Sequence, residues 1–247
     1  MSQRGSGESR SEGRDARTPR SIRVEVGVIE GIPGSVLYRS GKTEVLCVAT
    51  VEEGTPPWRG VGLGWLTGDY HMTPYATVPR GSSPTAGRID GRSQEIRRLI
   101  GRSLRTSVDP RRIPGLTIHL DCEVLRADGG TRTASINGAS IALSRLVASS
   151  LESGRFPQDP RIETVLGISV GRVRGENLVD LDYSEDSAAE IDLNVVATPA
   201  GNLVEVQGAS ESQPLAPAIW HELVEWGGEG ISQVATMIVP FLHPIED

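Results

Sequence analysis

The sequence predicts an α+β protein of two similar halves, and three observations carry that prediction. Period-two and helical spacings succeed one another as strand, strand, helix, strand, helix, then strands and a helix again. The chain holds 29 glycines in 247 residues and is only 4% aromatic, a composition that supplies many turns and strands. Residues 127–135, Ala-Asp-Gly-Gly-Thr-Arg-Thr-Ala-Ser, close one apolar run and open another, as a strand-to-helix join does.

In chain order, residues 1–20 are rich in Arg, Ser and Gly, lack the apolar run of a secretory signal and have nothing to bury. They are expected to be a flexible arm ahead of a single domain over residues 21–247. Residues 21–30 alternate Ile22, Val24, Val26 and Val28 with polar or small residues and predict a strand. Residues 35–38 and 43–51 read as a hairpin, and the continuous apolar run 45–49 suits a central strand buried on both faces. Strand character returns around Trp65, and residues 73–91 form a long Pro- and Gly-rich loop. A helix is predicted over residues 92–107, with Ile96, Leu99, Ile100 and Leu104 as its buried stripe. Strand 116–125 and helix 133–150 follow. Strands are expected at 164–174 and 178–182, then a hairpin of 191–198 and 202–207. A helical tail from Pro217 to about Ile238 is expected to break at Gly227-Gly228.

A formal net charge of −7 excludes a protein coated in basic charge for nucleic acid, but it conceals two blocks of opposite sign. Residues 88–112 carry eight arginines; residues 176–192 carry seven carboxylates and no basic residue. No apolar run reaches membrane-span length, so no membrane partner is expected. Cys47 and Cys122 lie in apolar strand-like runs and read as buried free thiols of a reducing compartment, a single disulfide being the alternative.

Gly129-Gly130 lets successive N–H groups converge on an anion, and the following helix start adds unpaired donors and the positive end of its dipole. Thr131 and Thr133 add hydroxyls, and Arg132 adds a planar fork that matches phosphate oxygens. Arg92 stands on a first helical turn, where the dipole disfavours a cation, so its place asks for another reason. In the acidic block, Asp192 sits between Ile191 and Leu193 in an apolar strand, and a buried aspartate is costly unless paired or bound to a metal. From charge pattern alone a solvated acidic loop accounts for the block more simply than a metal site. A phosphate cradle, two arginine forks and paired carboxylates are together the parts for moving a phosphoryl-linked group.

The segment Gly91-Arg92-Ser93-Gln94-Glu95-Ile96-Arg97-Arg98-Leu99-Ile100-Gly101-Arg102-Ser103-Leu104-Arg105, then Asp121-Cys122 and the run Ala127 to Ser135, resembles the ribonuclease PH family. So do Gly64-Trp65-Leu66-Thr67, Leu181-Asp182-Tyr183-Ser184-Glu185-Asp186-Ser187 with Asp192-Leu193-Asn194, and Val204-Glu205-Val206-Gln207-Gly208. The resemblance implies a ribonuclease PH-like fold of two βαβα-type halves, of the ribosomal protein S5 domain 2-like kind, assembled as a homohexamer that is a trimer of dimers. It implies a cytoplasmic phosphorolytic 3′-to-5′ exoribonuclease that trims tRNA precursors with inorganic phosphate as co-substrate, releases nucleoside diphosphates, and adds nucleotides in reverse. On the family's pattern Arg92, Gly130, Thr131 and Arg132 hold phosphate, while Asp186 and Asp192 bind Mg²⁺ or assist protonation of the leaving 3′ oxygen. Arg80, Arg88 and Arg97 are the candidate RNA contacts, although a solvated basic face also accounts for Arg97. The loop departs from the family: Thr73-Pro74-Tyr75 replaces a Leu-Pro-Arg, which implies fewer phosphate contacts and a shallower salt dependence. The competing expectations are a non-catalytic RNA-binding ring subunit of an exosome-like assembly and a metal-dependent hydrolase releasing nucleoside monophosphates.

Overall fold

The computed structural model describes residues 10–81, 90–211 and 213–243. Nine strands and four α-helices are arranged as two sheets about a central helix among these residues. β1 (Ile22–Val26), β2 (Ser35–Ser40), β3 (Thr43–Glu53), β4 (Trp65–Met72) and β5 (Leu116–Arg126) make a sheet of order β1-β2-β3-β5-β4. Its pairs are antiparallel except β4 with β5, which run parallel because α1 (Gly91–Arg105) carries the chain back between them. α2 (Thr131–Glu152) follows directly. The second sheet, of order β7-β6-β8-β9, is antiparallel throughout: β6 (Leu166–Val173), β7 (Glu176–Val179), β8 (Ala189–Ala197) and β9 (Leu203–Ser210). A four-residue helix, α3 (Tyr183–Asp186), links β7 to β8, and α4 (Pro217–Ile238) closes the second half.

α2 is buried on nearly every side because it lies between the sheets, against β2, β3 and β5 on one side and β6 on the other. Its many Ala, Ser and Gly positions allow that approach. Asn137 fastens it: the side-chain amide donates to the Gly167 carbonyl at 3.0 Å and its carbonyl accepts the Gly167 N–H at 2.8 Å. Cys47 and Cys122 face each other across β3 and β5 under this helix, both buried free thiols.

Three expectations fail for stated reasons. α4 does not break at Gly227-Gly228 but runs through it. A Cβ on Gly227 would come within 2.6 Å of Val195 Cγ2, so this glycine lets the helix press on β8 rather than end. The strand expected over residues 21–30 stops at Val26, since Gly27 has a left-handed φ of +67°. The arm is not free over residues 10–20: Arg20 is 2% exposed, and Val179 donates its N–H to Ala16 O at 2.8 Å. Arginine chains supply this segment with something to bury against, which the apolar count missed.

Candidate active site

In open α/β sheets, ligands collect beyond the carboxyl ends of parallel strands. Here Met72, ending β4, and Ala127, just past β5, line a cavity of about 420 Å³ between the two halves. Arg92, Gly130, Thr131 and Arg132 line it from the first half, and Asp186, Asp192 and Asn194 from the second. Arg92, Gly130, Thr131, Arg132, Asp186 and Asp192 thus come together, whereas Thr133 does not line the cavity: it is buried and its hydroxyl turns back to donate to Gly130 O at 3.0 Å.

The turn into α2 owes its shape to two left-handed glycines, Gly129 at φ +75° and Gly130 at φ +63°. Gly130 is the N-cap and offers no side chain to satisfy the helix's first N–H groups. The turn's carbonyls are drawn the other way. Thr43 Oγ1 donates to Gly129 O at 2.7 Å and accepts the Asp128 N–H at 2.9 Å, and Arg20 Nη1 donates to Asp128 O at 2.6 Å. With the acceptors engaged behind, the donors of the α2 start are left for an anion in the cavity. Replacing buried Thr43 by Val keeps its volume but orphans both partners. It should cost about 1–2 kcal/mol in a denaturant melt and weaken the binding of an anion such as inorganic phosphate at the α2 start.

Arg20 is itself held by Asp180. Its Nε and Nη2 reach the two carboxylate oxygens at 2.9 and 2.6 Å, and its backbone N–H reaches Oδ2 at 2.8 Å. Burial alone would raise the Asp180 pKa, but the Arg20 guanidinium outweighs it and holds the carboxyl below its ordinary value. Arg10 grips Glu185 with Nε at 2.6 Å and Nη2 at 3.0 Å, and Arg14 donates to Asp180 O at 3.0 Å. The N-terminal segment therefore ties the second half to the glycine turn. Sequence reasoning missed Arg20, Thr43 and Asp180 because each acts across more than 80 positions.

Two helix starts meet at the cavity. Asp90 caps α1, accepting the Ser93 N–H at 2.8 Å, and puts Arg92 on the cavity wall with no ion pair among the described residues. That answers the question its dipole-opposed position raised. Three residues on, Glu95 Oε2 takes Arg132 Nη2 at 3.0 Å, while Arg132 Nε is buried without a partner. Buried Tyr70 donates to Thr131 Oγ1 at 3.0 Å, which leaves the threonine's own proton for a ligand.

The acidic block is not a solvated loop; most of its carboxylates have separate tasks. Asp180 pairs with Arg20, Asp182 caps α3 by accepting the Ser184 and Glu185 N–H groups at 3.0 Å each, and Glu185 holds Arg10. Asp186 and Asp192 remain for the cavity. Burial raises the Asp186 pKa, with Arg92 and Arg132 opposing. Burial raises Asp192 to about 6, and the Asp186 charge adds to the rise. Asn194, two residues along β8 on the Asp192 face, is 6% exposed, and its side chain makes no hydrogen bond among the described residues, so its amide is open to the cavity.

Of the candidate RNA contacts, Arg97 lies outside the cavity, in a groove with Arg98, Arg102 and Arg105, and pairs with Asp69 at 2.9 Å. Arg80 is exposed beside the cavity-lining Pro79, and Arg88 lies outside the described residues.

Residues 18–147 match the model of the 3′ exoribonuclease family, domain 1, and residues 163–230 match that family's domain 2. A protein named ribonuclease PH from Rhodopirellula baltica is 45% identical over 224 residues, 88% of this chain and 91% of the relative. Another of that name, from Moorella thermoacetica, is 44% identical over 227 residues, 91% of each. The chain belongs to the ribonuclease PH family. The fold of this ribonuclease PH-like chain also resembles a chain of the Archaeoglobus fulgidus exosome with RNA bound to the active site. That match has a TM-score of 0.77 and 22% identity, over 92% of each chain. Rice Rrp46 gives a TM-score of 0.76 and 17% identity, over 94% of this chain and 99% of the other. At such identities these structures speak for the fold alone. Among the described residues no helix is long and apolar enough to cross a membrane.

Proposed function

We infer that this protein is a phosphorolytic 3′-to-5′ exoribonuclease and nucleotidyltransferase acting on RNA. The observation that carries the reading is the meeting, in one cavity of a ribonuclease PH family member, of two arginine forks, a helix N-terminus and an aspartate pair. Tail trimming of tRNA precursors, work in the cytoplasm and assembly as a homohexameric trimer of dimers are parts of the proposal. Membership of the ribonuclease PH family supports them.

The geometry supports the following roles. Inorganic phosphate sits on the α2 start, held by Arg92, Arg132, the Thr131 hydroxyl and backbone donors, so charge is bound by charge and the nucleophile is oriented. Its oxygen attacks the phosphorus of the last phosphodiester. The bond from that phosphorus to the preceding 3′ oxygen breaks, a nucleoside diphosphate leaves, and the shortened RNA's 3′ oxygen takes a proton. The raised proton affinity of Asp192 suits it to supply that proton. Asn194 offers a donor and an acceptor to sugar or phosphate oxygens. The RNA body meets exposed arginines, Arg80, Arg88 and Arg97 among them.

Asp186 and Asp192 also fit Mg²⁺. Two carboxylates whose mutual repulsion raises a pKa are what a divalent cation relieves, and Mg²⁺ is commonly bound by one or two carboxylates with substrate phosphates completing its shell. The described residues bring no group of three or more metal-ligating side chains together, which argues against an all-protein cage. A bound Mg²⁺ would offset charge growing on the leaving oxygen.

The test is incubation with a short 3′-tailed RNA and Mg²⁺, with and without inorganic phosphate, the products being weighed. Diphosphates that appear only with phosphate are expected. Monophosphates without it would identify a hydrolase, and no products would identify a non-catalytic ring subunit.

A further inference from the structure

Resting on the phosphorolytic reading, we propose that Tyr183 is the stacking platform for the base of the RNA's 3′-terminal nucleotide. Tyr183 is 65% exposed and lines the cavity that holds the phosphate cradle and the aspartate pair. Its side chain makes no hydrogen bond or ring contact among the described residues. An aromatic face in that position is spare.

The backbone that carries it is also held still. Tyr183 opens α3, whose start is fixed by a reciprocal cap: Asp182 accepts the Glu185 N–H and Glu185 accepts the Asp182 N–H, both at 3.0 Å. Glu185 is clamped in turn by Arg10. From the other side, a Cβ on Gly129 would come within 2.8 Å of Tyr183 N, so α3 rests directly on the phosphate turn. Stacking on a ring carried by a fixed backbone loses little further freedom, since only two side-chain torsions remain to be ordered.

Chain connectivity supplies the occupant. When the last phosphodiester lies between the cradle and Asp186, the nucleoside attached to it is within one nucleotide of Tyr183, which begins the helix that Asp186 ends. Met72, Val78 and Pro79 add apolar surface to the same cavity, and Val78 is fully exposed. Stacking uses the π-face that every base has. Tyr183 therefore grips the terminal base without reading its identity, as an enzyme stepping through successive nucleotides requires.

The test measures equilibrium binding, phosphorolysis rate and assembly mass for wild type, Y183F and Y183A. Two single-stranded RNAs are compared, one with an intact end and one whose terminal ribose carries no base. Wild type should prefer the intact end by about 10-fold. Y183F should keep that preference, and Y183A should treat both ends alike with KM for phosphate unchanged. A Y183A protein that discriminates as wild type does overturns the proposal, as does a wild type indifferent to the missing base. A changed assembly mass with discrimination intact would assign the ring to a subunit contact instead. Binding discrimination lost in Y183A with no diphosphate made by any enzyme would uphold the stacking site and remove the phosphorolytic reading alone.

Discussion

Replacing Arg132 by Ala should lower kcat/KM for phosphorolysis by about 10³-fold while leaving fold and assembly mass unchanged. The side chain enters the cavity from the second position of α2, where the backbone is fixed by the Gly129-Gly130 turn. Glu95 occupies one end of its fork and leaves the buried Nε unpaired, so the guanidinium is aimed but not saturated. On the proposed mechanism, a donor arranged in this way stabilises the attacking phosphate without reorganising during the reaction. The loss in R132A should fall on phosphate KM as well as on kcat, because the same fork binds the nucleophile and the charge that develops on it. R132K should recover only part of the activity, since an ammonium cannot match two oxygens in a plane. Unchanged phosphorolysis in R132A would remove the assignment of this cavity as the phosphate site. Release of the Glu95 carboxylate gives a structural control: E95Q should disturb the aim of Arg132 far less than R132A removes its charge.

The residues legible in the sequence were those whose chemistry conflicts with their local setting. Arg92 opposes a helix dipole, Asp192 interrupts an apolar strand, and the paired glycines turn successive N–H groups toward one point at a helix start; all three resolve at one cavity. What could not be read was anything that depends on a distant partner. Arg20 looked like one more arginine in a polar tail, yet it donates to the glycine turn at Asp128 O and is itself held by Asp180, 160 residues away. The acidic block looked like a solvated loop because sequence gives charge but not direction. Most of its carboxylates point to different partners, and α3, four residues long, has no periodicity to detect. Gly227 was misread in the same way: its lack of a side chain serves contact with Val195, not a break in α4. The two halves were legible because strand alternation and helix spacing are local; their docking through α2 and Asn137 was not.

Replacing Asp192 by Asn should slow phosphorolysis by about 10²–10³-fold and, in metal-free buffer at neutral pH, make the protein more stable. The two effects share one cause. Burial and the neighbouring Asp186 raise Asp192 to about 6 in the folded state, whereas in the unfolded chain an aspartate titrates near 3.9. Below about pH 4 the group is protonated in both states and costs nothing. As pH rises from 4 to 6 the unfolded chain releases its proton first, so folding loses about 2–3 kcal/mol across that window. Asn carries no charge and escapes the loss. The melting temperature of D192N should therefore exceed that of wild type at pH 7 and match it near pH 4. Mg²⁺ provides the second axis. A cation held by Asp186 and Asp192 binds only the folded state and raises its stability with concentration, so wild type should gain melting temperature on addition of Mg²⁺ while D192N gains little. If D192N melts no higher than wild type at pH 7, Asp192 does not bear the strained charge that its burial implies. If Mg²⁺ leaves the wild-type melt unmoved, the carboxylates act on the proton of the leaving 3′ oxygen and hold no ion in the free enzyme.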